Sequence, residues 1–115
     1  MQWRWKLAYE YLDLVVGSEQ AGNRQILVVS DETFNELMDV VTVLPLTRRK
    51  PGRTVYYNEV LLPEDEGGLP YESIIMAHQI RTISKSRLKR EIGYITSPDI
   101  QQACLRAMQI HLGMY

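Results

Sequence analysis

Cysteine and histidine are scarce in this sequence, and their scarcity excludes several kinds of site. The chain has 115 residues, with 1 cysteine and 2 histidines. The lone Cys104 cannot form an intramolecular disulfide, which suits a reducing compartment. One cysteine and two distant histidines match no recognised metal-ligand set, and the glycines do not fall at the spacings of a phosphate-binding or dinucleotide-binding loop. We therefore expect no metal and no cofactor.

Long apolar runs are also missing. No run approaches the roughly 20 residues that a transmembrane helix needs, and Met1 to Lys6 lack the apolar segment of a secretory signal. These absences predict a cytoplasmic protein with no membrane partner. The composition, 45% apolar and 23% charged, is that of an ordinary globular chain, and the length predicts a single domain over residues 1–115.

Net charge is low as well, at −1, so the molecule as a whole is not a strongly basic nucleic-acid binder. Its cations are nevertheless concentrated in two stretches. The first basic cluster is Arg48, Arg49, Lys50 and Arg53, and the second basic cluster is Arg81, Lys85, Arg87, Lys89 and Arg90. If folding places the two side by side, they form a phosphate-attracting surface. Otherwise they are two solvated faces.

Alternating apolar residues and turn residues predict a mainly β protein. Strands are predicted at residues 3–12, 26–30, 40–46, 56–62, 73–81 and 92–95, and short helices at residues 33–38 and 84–90. A longer helix is predicted from the N-cap Ser97 to Gly113, with Cys104 as a packing residue on its apolar stripe. This pattern indicates a small, partly closed antiparallel barrel with a covering C-terminal helix. Its exposed strand edges favour dimerisation.

Two polar groups lie at the ends of predicted strands. The loop over residues 17–25 contains Arg24 at the mouth of an apolar strand, and the next strand, in which Pro45 requires an edge or a bulge, ends at Thr47. An arginine fork donates two hydrogen bonds to phosphate oxygens, and a hydroxyl adds a donor where charge develops. Such groups suit metal-free cleavage of RNA, although from the residues alone a surface arginine and a strand-end threonine are the simpler interpretation.

Several spaced segments, taken together, resemble the MazF/PemK family of toxin endoribonucleases. In chain order they are residues 17–30 (GSEQAGNRQILVVS), 43–47 (VLPLT), 67–70 (GGLP), 79–82 (QIRT) and 86–88 (SRL). The resemblance implies an SH3-like barrel of the CcdB/MazF type and a homodimer. It also implies metal-independent cleavage of single-stranded RNA that leaves 2′,3′-cyclic phosphate and 5′-hydroxyl ends. The implied partner is a small antitoxin whose disordered tail occupies the RNA-binding groove.

The resemblance also implies roles for individual residues. The catalytic arginine of the family falls on Arg24 and the catalytic threonine on Thr47, while Ser18 occupies a loop position that contacts the RNA backbone. The residues expected to bind RNA are Glu19, Gln20, Arg48, Arg49, Gln79 and Arg81.

Some positions depart from the family pattern. His78 stands where many relatives carry an aspartate proposed as the general base, and histidine can do that work near neutral pH. The alternative is a strand histidine packed beside Met76 and Ile80. Gln25 replaces the usual proline after the arginine, and the two tryptophans of the first six residues are unlike the usual family start.

Two further interpretations compete with RNA cleavage. The related CcdB toxins poison DNA gyrase through a C-terminal Trp-Gly-Ile ending, whereas this chain ends Leu112-Gly113-Met114-Tyr115. A non-catalytic relative would bind RNA through the two basic clusters, with an affinity that falls as salt rises.

Overall fold

Antiparallel strands dominate the computed structural model, which describes residues 2–12 and 22–115. The strands are β1 (Lys6–Leu12), β2 (Gly22–Val28), β3 (Val40–Arg48), β4 (Glu59–Leu62), β5 (Ser73–Met76), β6 (Arg81–Ser84) and β7 (Leu88–Tyr94). The helices are α1 (Glu32–Leu37) and α2 (Pro98–Leu112), and short 3₁₀ turns occupy Glu66–Gly68, Ala77–Gln79 and Lys85–Arg87. The predicted mainly β fold with a C-terminal helix is confirmed.

Strand β3 is the centre of the sheet. The strand order is β4-β5-β3-β2-β1-β7, with β6 also paired to β3. Along one side of β3, residues Val40–Val43 pair with β6 and residues Leu46–Arg48 pair with β5. Pro45, predicted at an edge or a bulge, lies in the gap where β3 changes partner from β6 to β5. Within the described residues β4 and β7 end the sheet without pairing to each other, so the barrel is not closed.

Two predicted elements near the second basic cluster are wrong. The single strand predicted over residues 73–81 is divided into β5 and β6 by the turn Ala77–Gln79, in which the Ile80 N–H donates to the Ala77 carbonyl at 3.2 Å. Residues 74–80 contain no glycine, proline or other typical turn residue, so the sequence gives no sign of this turn. The helix predicted over residues 84–90 is only a 3₁₀ turn, because the following residues pair with β1 as strand β7.

Other element boundaries differ by a few residues. β1 begins at Lys6 rather than at residue 3, and β4 begins at Glu59 rather than at residue 56. β2 begins at Gly22, earlier than predicted, because residues 22–25 pair with β1. Helix α1 begins at Glu32 rather than at residue 33, and it is capped by Asp31, whose carboxylate accepts from the Thr33 N–H.

Buried apolar side chains form two clusters on opposite faces of β1 and β2. Leu7 and Leu27 face a cluster covered by α2, whereas their neighbours Ala8 and Ile26 face the other. This division follows from the two-residue period of a strand. Cys104 of α2 is fully buried, which confirms its packing role, and burial raises the pKa of its thiol to about 12.

Helix α2 has the termini that the sequence predicts. The Ser97 hydroxyl accepts a hydrogen bond from the Ile100 N–H at 3.4 Å, and Gly113 ends the helix in a left-handed conformation at φ 69°. Neither α2 nor the shorter α1 is long and apolar enough to cross a membrane, and these are the α-helices of the described chain.

Candidate active site

Arg24 lies on β2, directly opposite Glu10 of β1. Its Nη2 donates to the Oε1 of Gln79 at 2.6 Å, so a side chain from the Ala77–Gln79 turn holds the guanidinium. Burial lowers the pKa of Arg24, the positive charge of Arg81 lowers this pKa further, and Glu10 raises it. Two residues from the family motifs, Arg24 and Gln79, are therefore in direct contact.

Thr47 lies on the strand next to Arg24. The pairing of β2 with β3 ends at Ile26 and Pro45, and continuing that register by two residues aligns Arg24 with Thr47. Because side chains alternate along a strand, these two positions belong to the same face as Ile26 and Pro45. Thr47 is exposed and pairs on its other side with Ile74. The expected adjacency of the two strands is present.

A chain of polar contacts joins the Arg24 strand to the first basic cluster. Gln25 Nε2 donates to the Tyr71 hydroxyl at 2.7 Å, and the Arg48 guanidinium lies 4.5 Å from the centroid of the Tyr71 ring. The amide of Gln25 thus has a defined partner at the position where the family usually has proline. Beside it, Arg49 forms an ion pair with Glu72 at 3.4 Å.

Glu10 is a member of the site that the sequence prediction missed. It is 0% exposed and accepts a hydrogen bond from Arg81, while the Nε of Arg87 lies 3.6 Å from its other oxygen. The available signal in the sequence was a charged residue, Glu10, on the same face of a predicted strand as Ala8 and Leu12.

His78 belongs to a different cluster from Arg24. It lies on the Ala77–Gln79 turn rather than on a strand, and its Nε2 is 2.9 Å from Glu59. Glu59 also receives two hydrogen bonds from Arg53, at 2.7 and 2.8 Å, and one from the Tyr56 N–H at 3.0 Å. Arg53, the Tyr56 N–H and His78 hold the pKa of Glu59 at about 2. Neighbouring His78 and Gln79 therefore bind different partners.

The imidazole of His78 has a defined proton arrangement. Glu59 is ionised near neutral pH and can only accept hydrogen bonds, so the facing nitrogen of His78, Nε2, carries a proton. In the neutral ring Nδ1 is then the acceptor nitrogen. The ring also makes an edge contact with His111 of α2, with the two centroids 6.4 Å apart.

The two basic clusters do not lie side by side. Arg81 is opposite Val43 of β3, whereas the first cluster begins at Arg48 on the same strand. Five residues of strand separate these positions by about 17 Å. Three cations of the second cluster lie over aromatic rings: Lys85 over Trp3 at 4.7 Å, Lys89 over Tyr11 at 5.9 Å and Arg90 over Tyr9 at 4.8 Å.

Three of the predicted site residues, Ser18, Glu19 and Gln20, lie outside the described residues. In residues 2–12 and 22–115, no three histidine, cysteine, aspartate or glutamate side chains come together as a metal-binding group.

Comparison with known proteins identifies a family. The model of PemK-like, MazF-like toxins of type II toxin-antitoxin systems matches residues 6–112. The endoribonuclease MazF of Staphylococcus saprophyticus is 30% identical over 104 residues, which cover 90% of this chain and 85% of that protein.

Solved structures share the fold. A MazE-MazF structure from Deinococcus radiodurans is 25% identical with a TM-score of 0.73, and the match covers 96% of this chain and 95% of that one. An endoribonuclease from a mycobacterial species, solved with its cognate antitoxin, has a TM-score of 0.77 at 20% identity, covering 97% of this chain and 95% of that chain, and shows similarity of fold.

Proposed function

The chain belongs to the PemK-like, MazF-like toxins of type II toxin-antitoxin systems, and from this membership we propose that it is a metal-independent endoribonuclease that cuts single-stranded RNA at specific sequences. The observation that carries the proposal is the Arg24–Gln79 pair, at 2.6 Å, beside the strand end that bears Thr47. The endoribonuclease activity of the staphylococcal relative agrees with it.

The proposed reaction is an attack of the ribose 2′-oxygen on the adjacent phosphorus. The 2′-hydroxyl loses a proton, the bond from phosphorus to the 5′-oxygen breaks, and that oxygen takes up a proton. The products are a 2′,3′-cyclic phosphate and a 5′-hydroxyl. Negative charge develops on the non-bridging oxygens, where Arg24 donates hydrogen bonds and Thr47 and Ser18 orient the phosphate.

Gln79 contributes by limiting the motion of Arg24. A long arginine side chain loses rotamer freedom when it binds a phosphate, and the Gln79 amide has already removed part of that freedom. For His78 we propose a role as proton acceptor through Nδ1, since Nε2 is occupied by Glu59. Glu59 then orients the ring through this contact.

The partners follow from the same membership. A cognate antitoxin is expected, because the family consists of toxins of toxin-antitoxin systems. We further propose a homodimer, as the family resemblance implies, and action in the cytoplasm, where single-stranded messages are available.

An end-mapped cleavage assay tests the function. Wild type and Arg24→Ala are incubated with a long single-stranded RNA in excess chelator. We expect wild type to produce discrete cuts with 5′-hydroxyl ends, and the variant to be slower by about 10²- to 10³-fold, the usual effect of losing one donor to a developing anion. Equal cleavage by both proteins would contradict the role of Arg24. A folded wild type that cuts none of several RNAs would favour an RNA-binding relative without catalysis.

A further inference from the structure

Glu10 is an ionisable side chain in the interior of the sheet. It is fully buried, it lies in the middle of β1, and its register partner on β2 is Arg24. Burying an ionised carboxylate is unfavourable unless cations compensate for the lost hydration. Here the compensating cations come from the second basic cluster, through a hydrogen bond from Arg81 and the close approach of Arg87 at 3.6 Å.

The hydrogen bonding of this group is incomplete. Within the described residues, neither the Oε2 of Glu10 nor the Nε of Arg81 has a hydrogen-bond partner, although both atoms are buried. Buried polar atoms are nearly always paired, and exceptions need a reason beyond stability.

The charges around Arg24 supply that reason. Arg81 opposes the charged state of Arg24, and Glu10 favours it. Without Glu10, the guanidinium groups of Arg24 and Arg81 repel each other with no buried anion between the strands. This repulsion would decrease most directly if Arg81 moved toward solvent or if Arg24 moved away from Gln79.

We propose that Glu10 is a positioning residue of the ribonuclease site, which holds Arg81 and Arg87 near Arg24 and offsets the repulsion among the three guanidinium groups. The inference rests on the proposed cleavage of RNA at Arg24. Because no part of Glu10 is exposed, it cannot contact RNA and acts only through the arginines. Its effect on the chemical step comes through the position of Arg24.

The test compares Glu10→Gln with a matched control, Glu91→Gln. Each substitution removes one negative charge, and the two residues lie on the neighbouring strands β1 and β7. Their effect on the long-range electrostatic attraction of RNA is therefore the same. Glu91 is exposed, and its ion pair with Lys6 spans 3.7 Å. Two quantities are measured for each protein: kcat and KM on a short RNA that contains the mapped site, and the ¹H–¹⁵N resonances of the arginine side chains.

For Glu10→Gln we expect kcat to fall about 10- to 100-fold, the usual effect of a slightly misplaced catalytic group, while Glu91→Gln gives the effect of one lost charge on KM. The Nε–H resonances of Arg24 and Arg81 should shift. Glu91→Gln should retain both the wild-type kcat and the wild-type resonances. A kcat within about twofold of wild type in Glu10→Gln, or unshifted Arg24 resonances, would overturn the proposal.

If Glu10→Gln does not fold, Glu10→Asp replaces it, because it keeps the buried charge but draws the carboxylate away from Arg81 and Arg87. Loss of kcat in this variant supports the role, and a wild-type kcat refutes it. The spectroscopic measurement needs no cleavage. A wild type that cuts no RNA therefore refutes the proposed function, whereas unshifted arginine resonances refute the role of Glu10 alone.

Discussion

Glu59 is a single residue on which three parts of the chain converge. It is 6% exposed and receives hydrogen bonds from Arg53 and the Tyr56 N–H in the segment before β4, and it contacts His78 of the Ala77–Gln79 turn. The paired guanidinium is the main reason that its pKa falls to about 2 from an ordinary value of 4.5. A carboxyl whose pKa is lower in the folded state stabilises that state at every pH above its unfolded pKa.

The stability of the protein should therefore depend on this carboxyl in acid. The stabilisation is complete above pH 4.5 and is lost as the pH falls toward 2, and it amounts to roughly 3 kcal/mol for the ionised form. We expect Glu59→Gln to lower the free energy of unfolding at pH 7 by about that amount and to flatten its dependence on pH below 4.5. Urea denaturation at several pH values measures both effects.

Glu72→Gln is the control for this measurement. Glu72 also forms an ion pair with an arginine, at 3.4 Å, but its side chain is 48% exposed. Exposed pairs contribute about 0–1 kcal/mol, so this variant should unfold almost as wild type does. Equal losses of stability in the two variants would show that the buried position of Glu59 has no special importance.

The residues of the site were predictable from the sequence in unequal measure. Arg24, Thr47 and Gln79 stand in spaced motifs, and spacing along the chain is visible in a sequence. Glu10 was not predicted, because its importance comes from strand pairing with Arg24 and from contacts with arginines about 70 residues away. The residues around Glu10 in the sequence give no indication of these long-range contacts.

Among the elements, the loop before β5 is fixed against β7 by two glycines. Gly67 has a φ of +69°, and a Cβ atom added to Gly93 would lie 2.3 Å from the carbonyl oxygen of Gly67. Within the loop, Leu69 is buried and its carbonyl accepts a hydrogen bond from the Asp65 N–H at 2.7 Å. The backbone of the loop thus packs directly on the backbone of a strand.

Gly93→Ala should separate this loop from β7. Backbone cannot move aside as a side chain can, so we expect a loss of about 1–3 kcal/mol in the free energy of unfolding. Thermal or urea unfolding measures it. Gly52→Ala is a suitable comparison, because Gly52 also has a positive φ, at +76°, but no atom within 4 Å of an added Cβ. It should show only the conformational cost, about 1–2 kcal/mol. A Gly93→Ala protein as stable as wild type would contradict the close packing.

Elements were predicted well where local signals determine them. Helix α2 has a serine cap, a proline in its first turn and a glycine at its end, and each acts through neighbouring residues. The segment from Ser73 to Tyr94 was predicted poorly because its structure depends on pairing with distant strands. β3 pairs with both β5 and β6, and β1 pairs with β7.

At the scale of the whole molecule, a net charge of −1 conceals an uneven surface. Arg48 and Arg49 lie at the end of β3, near the strand that bears Arg24, and the arginines paired with Glu10 lie on β6 and next to it. Phosphate groups of a bound strand are attracted to such local surfaces whatever the total charge.

Reversing the charges of Arg48 and Arg49 to glutamate should therefore weaken RNA binding by about tenfold or more and reduce its dependence on salt. The affinity for a non-cleavable, 2′-deoxy-substituted oligonucleotide is measured at several salt concentrations. Arg106→Glu, on the exposed face of α2, serves as the control and should retain most of the affinity. If both proteins lose affinity equally, the attraction is general and the first basic cluster has no special part in it.

The pairing of β1 with β7 affects the synthesis of the toxin. Lys6 pairs with Tyr94, and the acid at position 10 meets its arginine partner 71 residues later in the chain. At ribosomal speeds of about 5–20 residues per second, roughly 4 to 14 seconds separate the two. A nascent chain that has emerged only as far as β5 contains Arg24 and Thr47 but lacks Gln79, Arg81 and Arg87. The cell that makes this protein is thus exposed to the assembled arginine group only once translation is nearly finished.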